Sequence, residues 1–254
     1  MDEPFRHHPY FPVDSVISGG YVPTTWSLEG LLLSFVGLIT AHIAGALLLA
    51  RYKNPTLSIS DQLIFCWFIL SAFLHCQFEG YFIKNHEHIG SSDELFASLW
   101  REYAQSDSRY MTSDPFMLCI ESLTVYIWGP LSLAAAYCII QRNNGIRHVL
   151  QIAVSIGHLY GVALYFGTCY FQEKYKGISY SRPEFLYYWV YYVGLNAAWA
   201  VVPSCKFHSN NGKSRNQMRI LTEWTVLLLQ SVGIIRRAFG HKKTTEGASG
   251  QSMQ

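Results

Sequence analysis

From Gln62 to Ile83 the chain reads QLIFCWFILSAFLHCQFEGYFI. About 20 residues at ~1.5 Å rise cross a hydrocarbon core of ~30 Å, so this stretch is long enough to span a bilayer as one helix. His75 and Glu79 lie deep in its apolar part. Their spacing puts both on one face of a helix, a turn apart. An ionisable side chain at the bilayer centre costs roughly 2.5–3.5 kcal/mol on insertion scales, and such residues usually face a protein interior or a cavity and act there. The rest of the chain is therefore expected to enclose this pair.

Composition agrees. Of 254 residues, 50% are hydrophobic, 15% aromatic and 14% charged, against roughly 25% charged in a soluble domain. The mean hydropathy of +0.12 is low for a membrane protein, but that scale gives little credit to the 7 Trp and 17 Tyr, and the ends are polar. A net charge of +2 without a basic, aromatic-interleaved stripe excludes a nucleic-acid partner. Cys66, Cys76, Cys119, Cys138, Cys169 and Cys205 form no C-x-x-C pair. Most sit in apolar runs as small hydrophobes, so neither a disulfide framework nor a zinc site is expected. Residues 1–25 show no cleavable signal peptide.

Outward from Gln62–Ile83, the apolar periodicity predicts four more spans: Trp26 to Tyr52, Phe116 to Gln141, His148 to Phe171, and Pro183 to Val202. The fold class expected is an all-α integral membrane protein, a five-helix bundle around an intramembrane pocket. Three regions follow: an extended N-terminal segment 1–25, a membrane domain 26–203, and a polar, amphipathic tail 204–254. In that tail, 220–239 reads as an interfacial helix, with a weak sixth span as the alternative, and 240–254 as disordered. Pro203 and Lys206 are expected to end the fifth span. Between spans two and three, Ser91 and Glu94 fit a capping box for a short amphipathic helix carrying Phe96, Leu99, Trp100 and Tyr103, lying on the membrane or lidding a cavity. Arg51, Lys53, Arg142 and Arg147 fall in loops on one side, which places them and the C-terminus in the cytosol.

Three spans carry polar stripes. His75 and Glu79 are on the second; Glu121, Thr124 and Trp128 on the third, just before Gly129-Pro130, where a kink is expected; Trp189, Tyr192, Asn196 and Trp199 on the fifth. Turned inward, they converge. Buried Glu and His approach one another in proton affinity, which suits proton shuttling. Thr124 and Asn196 alone read as helix-gluing hydrogen bonds, and His42 and the fourth span read as structural. A lone Trp199 is most simply a packing residue, but beside an acid and a base its ring can stabilise a cation.

At these residues the sequence resembles the emopamil-binding protein family of EXPERA-type sterol Δ8-Δ7 isomerases, a group that also includes the sigma-2 receptor. The resemblance rests on Cys66-Trp67-Phe68 leading to His75-x-x-x-Glu79-Gly80, then Leu99-Trp100 with Glu102-Tyr103-Ala104, and Asp107-Ser108-Arg109-Tyr110. It continues through Glu121-Ser122 with Trp128-Gly129-Pro130-Leu131-Ser132-Leu133, and Asn196-Ala197 with Trp199.

The resemblance implies a multi-pass protein of the endoplasmic reticulum that moves a sterol double bond from 8(9) to 7(8) by protonation at C9, a cation at C8 and deprotonation at C7. It places catalysis on His75, Glu79, Glu121, Thr124 and Asn196, with Trp199, Tyr110 and Trp128 facing substrate and cation. It implies no metal and no redox cofactor. The partners it implies are a Δ8-sterol, lipophilic amine inhibitors and membrane lipid, with a homodimer as a candidate assembly. The alternative is a non-catalytic binder of sterols or cationic amphiphiles of the sigma-2-receptor type. A transporter ranks third, because no internal repeat is present.

Overall fold

The structure, a computed structural model, describes residues 8–208. Among them there are helices and no strands. Helix α1 (Leu28–Lys53) starts where the Ser27 side chain accepts the Gly30 amide at 3.1 Å. Glu29 lies in its first turn and Arg51 and Lys53 in its last, each charge opposing the helix dipole. Helix α2 (Ile59–Asn85) is capped in the same way by Ser58, which accepts the Asp61 amide. A short helix α3 (Leu95–Tyr103) and a 3-10 turn (Ser108–Tyr110) follow. Helix α4 (Pro115–Ile140) has proline in its first turn, and the Asp114 carboxylate accepts the Phe116 and Met117 amides. Helix α5 (Asn144–Lys176) stops at Gly177, whose φ of 67° is the left-handed cap that glycine takes without steric cost. The last, α6, is Leu186–Leu195 running into Asn196–His208.

Among the described residues, four helices are long and apolar enough to cross a membrane: Leu28–Lys53, Ile59–Asn85, Pro115–Ile140 and Gly145–Lys176. They fit a multi-pass membrane protein, and their outward faces carry exposed Leu33, Val36, Leu48, Leu63 and Val149. Helix α2 packs between α1 and α4, and α4 packs on α5. Two buried clusters result. One joins Phe82, Trp100, Tyr110 and Met117 beneath α3. The other is built on small residues, Ala46, Ala50, Ala135 and Ala136, which let backbones approach closely around Phe65, Phe68 and Ile139.

Three stretches depart from α-helical geometry. Leu74–Glu79 in α2, Thr124–Trp128 in α4 and Leu186–Leu195 in α6 are π-helical. Their i→i+5 bonds widen the turn, a feature frequent at functional sites. In α4 the cause is local. Pro130 has no amide to donate and crowds the carbonyl of the preceding turn, and the Gly129 amide reaches back to the Thr124 carbonyl instead. The expected disturbance at Gly129-Pro130 thus takes the form of a wide turn.

Several expectations need correction. The capping box is not formed: α3 begins after Glu94, whose backbone is extended and whose carboxylate accepts the Tyr81 hydroxyl at 2.9 Å, while the Ser91 hydroxyl turns to the His88 carbonyl. Pro203 does not end the last helix; it lies inside Asn196–His208. Trp189 leaves the stripe assigned to the fifth span, being 57% exposed, because the wide turns of Leu186–Leu195 break the 3.6-residue register. Residues 8–26 are non-helical, and they pack onto α3. The Tyr10 hydroxyl donates to the Arg101 carbonyl, the Arg101 guanidinium donates to the Val22 carbonyl, and Thr24 and Thr25 donate to Asp93. The readings of 220–239 and 240–254 lie outside the described residues. The chain divides into compact units after Ala200, and the site described next lies wholly in the first.

Candidate functional site

A cavity of about 370 Å³ opens between the helices. Both buried clusters flank it: Phe35, Leu74 and Ile120 reach it from one, Trp67 and Trp128 from the other. Leu99, Trp100 and Tyr103 of α3 close one side, so the amphipathic helix expected from sequence lids a cavity. His75, Glu79, Glu121, Thr124, Asn196, Trp199, Tyr110 and Trp128 all line this single space.

His75 and Glu79 face each other across the π turn of α2, with Nδ1 to Oε2 at 2.7 Å. From α4, Glu121 presents its carboxyl beside that of Glu79. Its Oε1 accepts the Tyr110 hydroxyl at 2.7 Å, and Oε2 lies 3.1 Å from the Thr124 hydroxyl, which also reaches the Glu121 carbonyl at 2.7 Å. The 3-10 turn holds Tyr110 in place: Asp107 caps the turn by accepting the Arg109 amide and is clamped by the Arg109 guanidinium at 2.6 Å. The Arg109 side chain also donates to Thr168 on α5 at 2.8 Å. Burial and the neighbouring Glu121 carboxyl push the Tyr110 phenol well above its ordinary value, so it stays a donor.

Asn196 does not reach the carboxyls. Its amide donates to the Tyr103 hydroxyl at 2.9 Å and to the Tyr192 carbonyl at 2.8 Å, tying α6 to α3. Trp199 stacks on the His75 ring, centroids 4.9 Å apart at 29°. Trp128 packs against α5 at Gly157, where a methyl group would come within 2.5 Å of its ring. Gly157 is thus the one of the α5 glycines Gly157, Gly161 and Gly167 at which close approach is required. His42, read as structural, bonds the Leu38 carbonyl at 2.8 Å and stacks on Phe73, away from the cavity.

The sequence reading gave no site role to three polar members of the wall. Tyr103 is the partner of Asn196. Glu102 also lines the cavity, held by Gln105 at 2.6 Å, and burial raises its carboxyl above the usual range. His158 on α5 meets His75 through Nε2 to Nε2 at 3.0 Å. A signal for His158 existed: Gly157, His158, Gly161, Val162 and Tyr165 all line the cavity and fall on one helical face.

Among the described residues, helices of spanning length and an apolar cavity, into which two carboxyls and an imidazole are turned, fit a multi-pass membrane protein with an internal cavity. Residues 95–207 match the family model described as EXPERA, the expanded EBP superfamily. The chain is 37% identical to the 3-beta-hydroxysteroid-Delta(8),Delta(7)-isomerase of Rattus norvegicus, over 77% of its own length and 84% of the relative's. It is 36% identical to the protein of that name in Mus musculus, over 78% and 84%. A probable isomerase of the same name in Arabidopsis thaliana is 33% identical, over 78% and 84%. The chain belongs to the emopamil-binding protein (EXPERA) family.

Proposed function

We infer that the protein is a sterol isomerase moving a ring double bond from the 8(9) to the 7(8) position, as its relatives' names describe. The observation that carries this reading is that two carboxyls, Glu79 and Glu121, line one apolar cavity together with His75, Tyr110, Thr124, Asn196, Trp128 and Trp199. Its volume falls within the ~300–1,000 Å³ of ordinary ligand pockets. One carboxylic acid gives its proton to C9, and the π electrons of the C8–C9 bond become the new C9–H bond. The cation left at C8 lies against the Trp199 ring. The other carboxyl, as carboxylate, takes a proton from C7, and the C7–H electrons form the C7–C8 double bond. His75 orients and tunes Glu79, while Tyr110 and Thr124 hold Glu121 in place. Asn196 keeps α6 against the lid.

In this reading residues 26–203 form a five-span isomerase domain of the endoplasmic reticulum membrane, with α6 as the fifth span. Residues 1–25 are an extended N-terminal segment, 204–254 a tail, and the C-terminus is cytosolic. A homodimer is compatible with this arrangement. The same cavity takes lipophilic amines, whose ammonium mimics the C8 cation; unchanged amine affinity in Glu121→Gln would count against this. The test of the activity is expression in cells lacking sterol Δ8-Δ7 isomerase followed by sterol analysis. Conversion of the Δ8-sterol is expected. Accumulation of that sterol despite tight binding would leave a non-catalytic sterol binder of the sigma-2-receptor type.

A further inference from the structure

The reaction just described needs a reset. Each turnover leaves the donor carboxyl empty and the acceptor loaded. Glu79 and Glu121 are neighbours on the cavity wall, and a direct exchange between them would return the hydrogen taken from C7 to C9 of the next substrate. The structure holds a second route. His75 is hydrogen-bonded through both ring nitrogens, Nδ1 to Glu79 Oε2 at 2.7 Å and Nε2 to His158 Nε2 at 3.0 Å. Both imidazoles are buried, at 2% and 5% exposure. Trp199 lies against the two of them, with centroids 4.9 Å from His75 and 4.8 Å from His158, and Trp67 meets the edge of His158 at 6.4 Å.

Each ring has one hydrogen-bond function per nitrogen, and a neutral imidazole donates from one and accepts at the other. With Nδ1–H of His75 directed to the Glu79 carboxylate, Nε2 of His75 must accept, so His158 donates from Nε2. A hydrogen bond used only to glue α2 to α5 would need one donor and one acceptor, which an amide or hydroxyl supplies. Three titratable groups in line do more: a proton that enters at one nitrogen of His75 can release a different proton from the other.

We propose that His158 is the outer member of a Glu79–His75–His158 proton relay, a positioning residue that fixes the His75 tautomer and exchanges the Glu79 proton independently of Glu121. This rests on the isomerase reading. In one direction, an N–H bond of doubly protonated His158 breaks at Nε2 and a new one forms at Nε2 of His75. In the same step the Nδ1–H bond of His75 breaks and an O–H bond forms on Glu79. The sum is imidazolium plus carboxylate giving imidazole plus carboxylic acid, with no electrons transferred. The reverse unloads Glu79, so the relay serves whichever role Glu79 takes.

The full chain is assayed in membranes of isomerase-deficient cells with a Δ8-sterol in deuterated buffer, comparing wild type, His158→Gln and His158→Leu. Wild-type product is expected to carry solvent deuterium at C9. In both variants the deuterium at C9 falls at least about twofold and kcat about tenfold with KM little changed, because the chemistry remains and the exchange route closes. Glutamine can still donate to His75 but cannot relay a proton, so His158→Gln separates the relay from simple support. Deuterium content in His158→Gln equal to wild type overturns the relay. Total loss of turnover in a folded His158→Gln protein also overturns it, by placing His158 in the bond-making step. A wild-type chain that converts no Δ8-sterol removes the isomerase reading itself, a different failure from unchanged isotope content.

Discussion

Asp107 and Glu121 are both buried carboxyls, one in the 3-10 turn and one on α4, and they are satisfied in opposite ways. Asp107 accepts from the backbone and the guanidinium of Arg109, whose charge also lies 5.1–5.5 Å from the ring centroids of Tyr165, Phe116 and Tyr180. Glu121 has only hydroxyl partners and another carboxyl beside it. A buried charge with a fitted counter-charge is stable and inert, whereas one answered by neutral donors can give up or take a proton at modest cost. Under the proposed function the turn is scaffold and the cavity wall carries the chemistry, though the two are within reach of each other through Tyr110.

That contrast can be broken most decisively at the cavity. Glu79→Gln and Glu121→Gln are each expected to lower isomerase turnover by about 10²–10⁴-fold, with the amount of folded protein retained, as read by sterol conversion against size-exclusion recovery. If either variant instead fails to fold, the wall is scaffold too. Arg109→Met should do the reverse, costing about 3–5 kcal/mol of stability by leaving Asp107 buried without its partner. Thermal unfolding in detergent would measure it.

Smaller effects sharpen the same line. Gly157→Ala places a methyl 2.5 Å from the Trp128 ring and should cost about 1–3 kcal/mol through overpacking, seen as a lower melting temperature. Tyr110→Phe removes one donor from Glu121, worth about 1 kcal/mol, and should slow turnover about fivefold while leaving the Asp107–Arg109 clamp intact. The smallest change is expected at the surface. Hydrogen bonds from Thr25 hold Asp93 down at about 2, from an ordinary value of 3.8. A carboxyl depressed by folding contributes above its unfolded value and loses that contribution as pH falls through the folded one. The segment 8–26 should therefore loosen from α3 between about pH 4 and pH 2, detectable by amide exchange at Thr24 and Thr25.

Much of this was legible from residue types and spacing. Apolar length located four helices of spanning length among the described residues, and an ionisable residue inside an apolar run singled out His75, Glu79 and Glu121, since only an enclosed space tolerates them. Helical spacing placed Glu121 and Thr124 on one face, where they meet, and α3 was expected from its aromatic face. The misses share a cause. Hydrophobic periodicity assumes 3.6 residues per turn, and nothing in residue type announces a π turn, so Trp189 was assigned to a face it does not occupy. The partner of Asn196 could not be read because Tyr103 comes from a distant element. His158 was passed over as one mild polar group on a helix judged structural, although its place among small residues on one face marks it as turned toward a neighbour.

The wide turns have one more consequence. Each amounts to a surplus residue accommodated within an otherwise ordinary helix. Removing one by a single-codon deletion would let the coil tighten locally while the helix on either side keeps its register. In α2 a deletion between His75 and Glu79 would shorten their spacing from four residues to three and undo the pairing held inside the wide turn, so for the proposed function the chain length at Leu74–Glu79 matters as much as the identity of the side chains it holds.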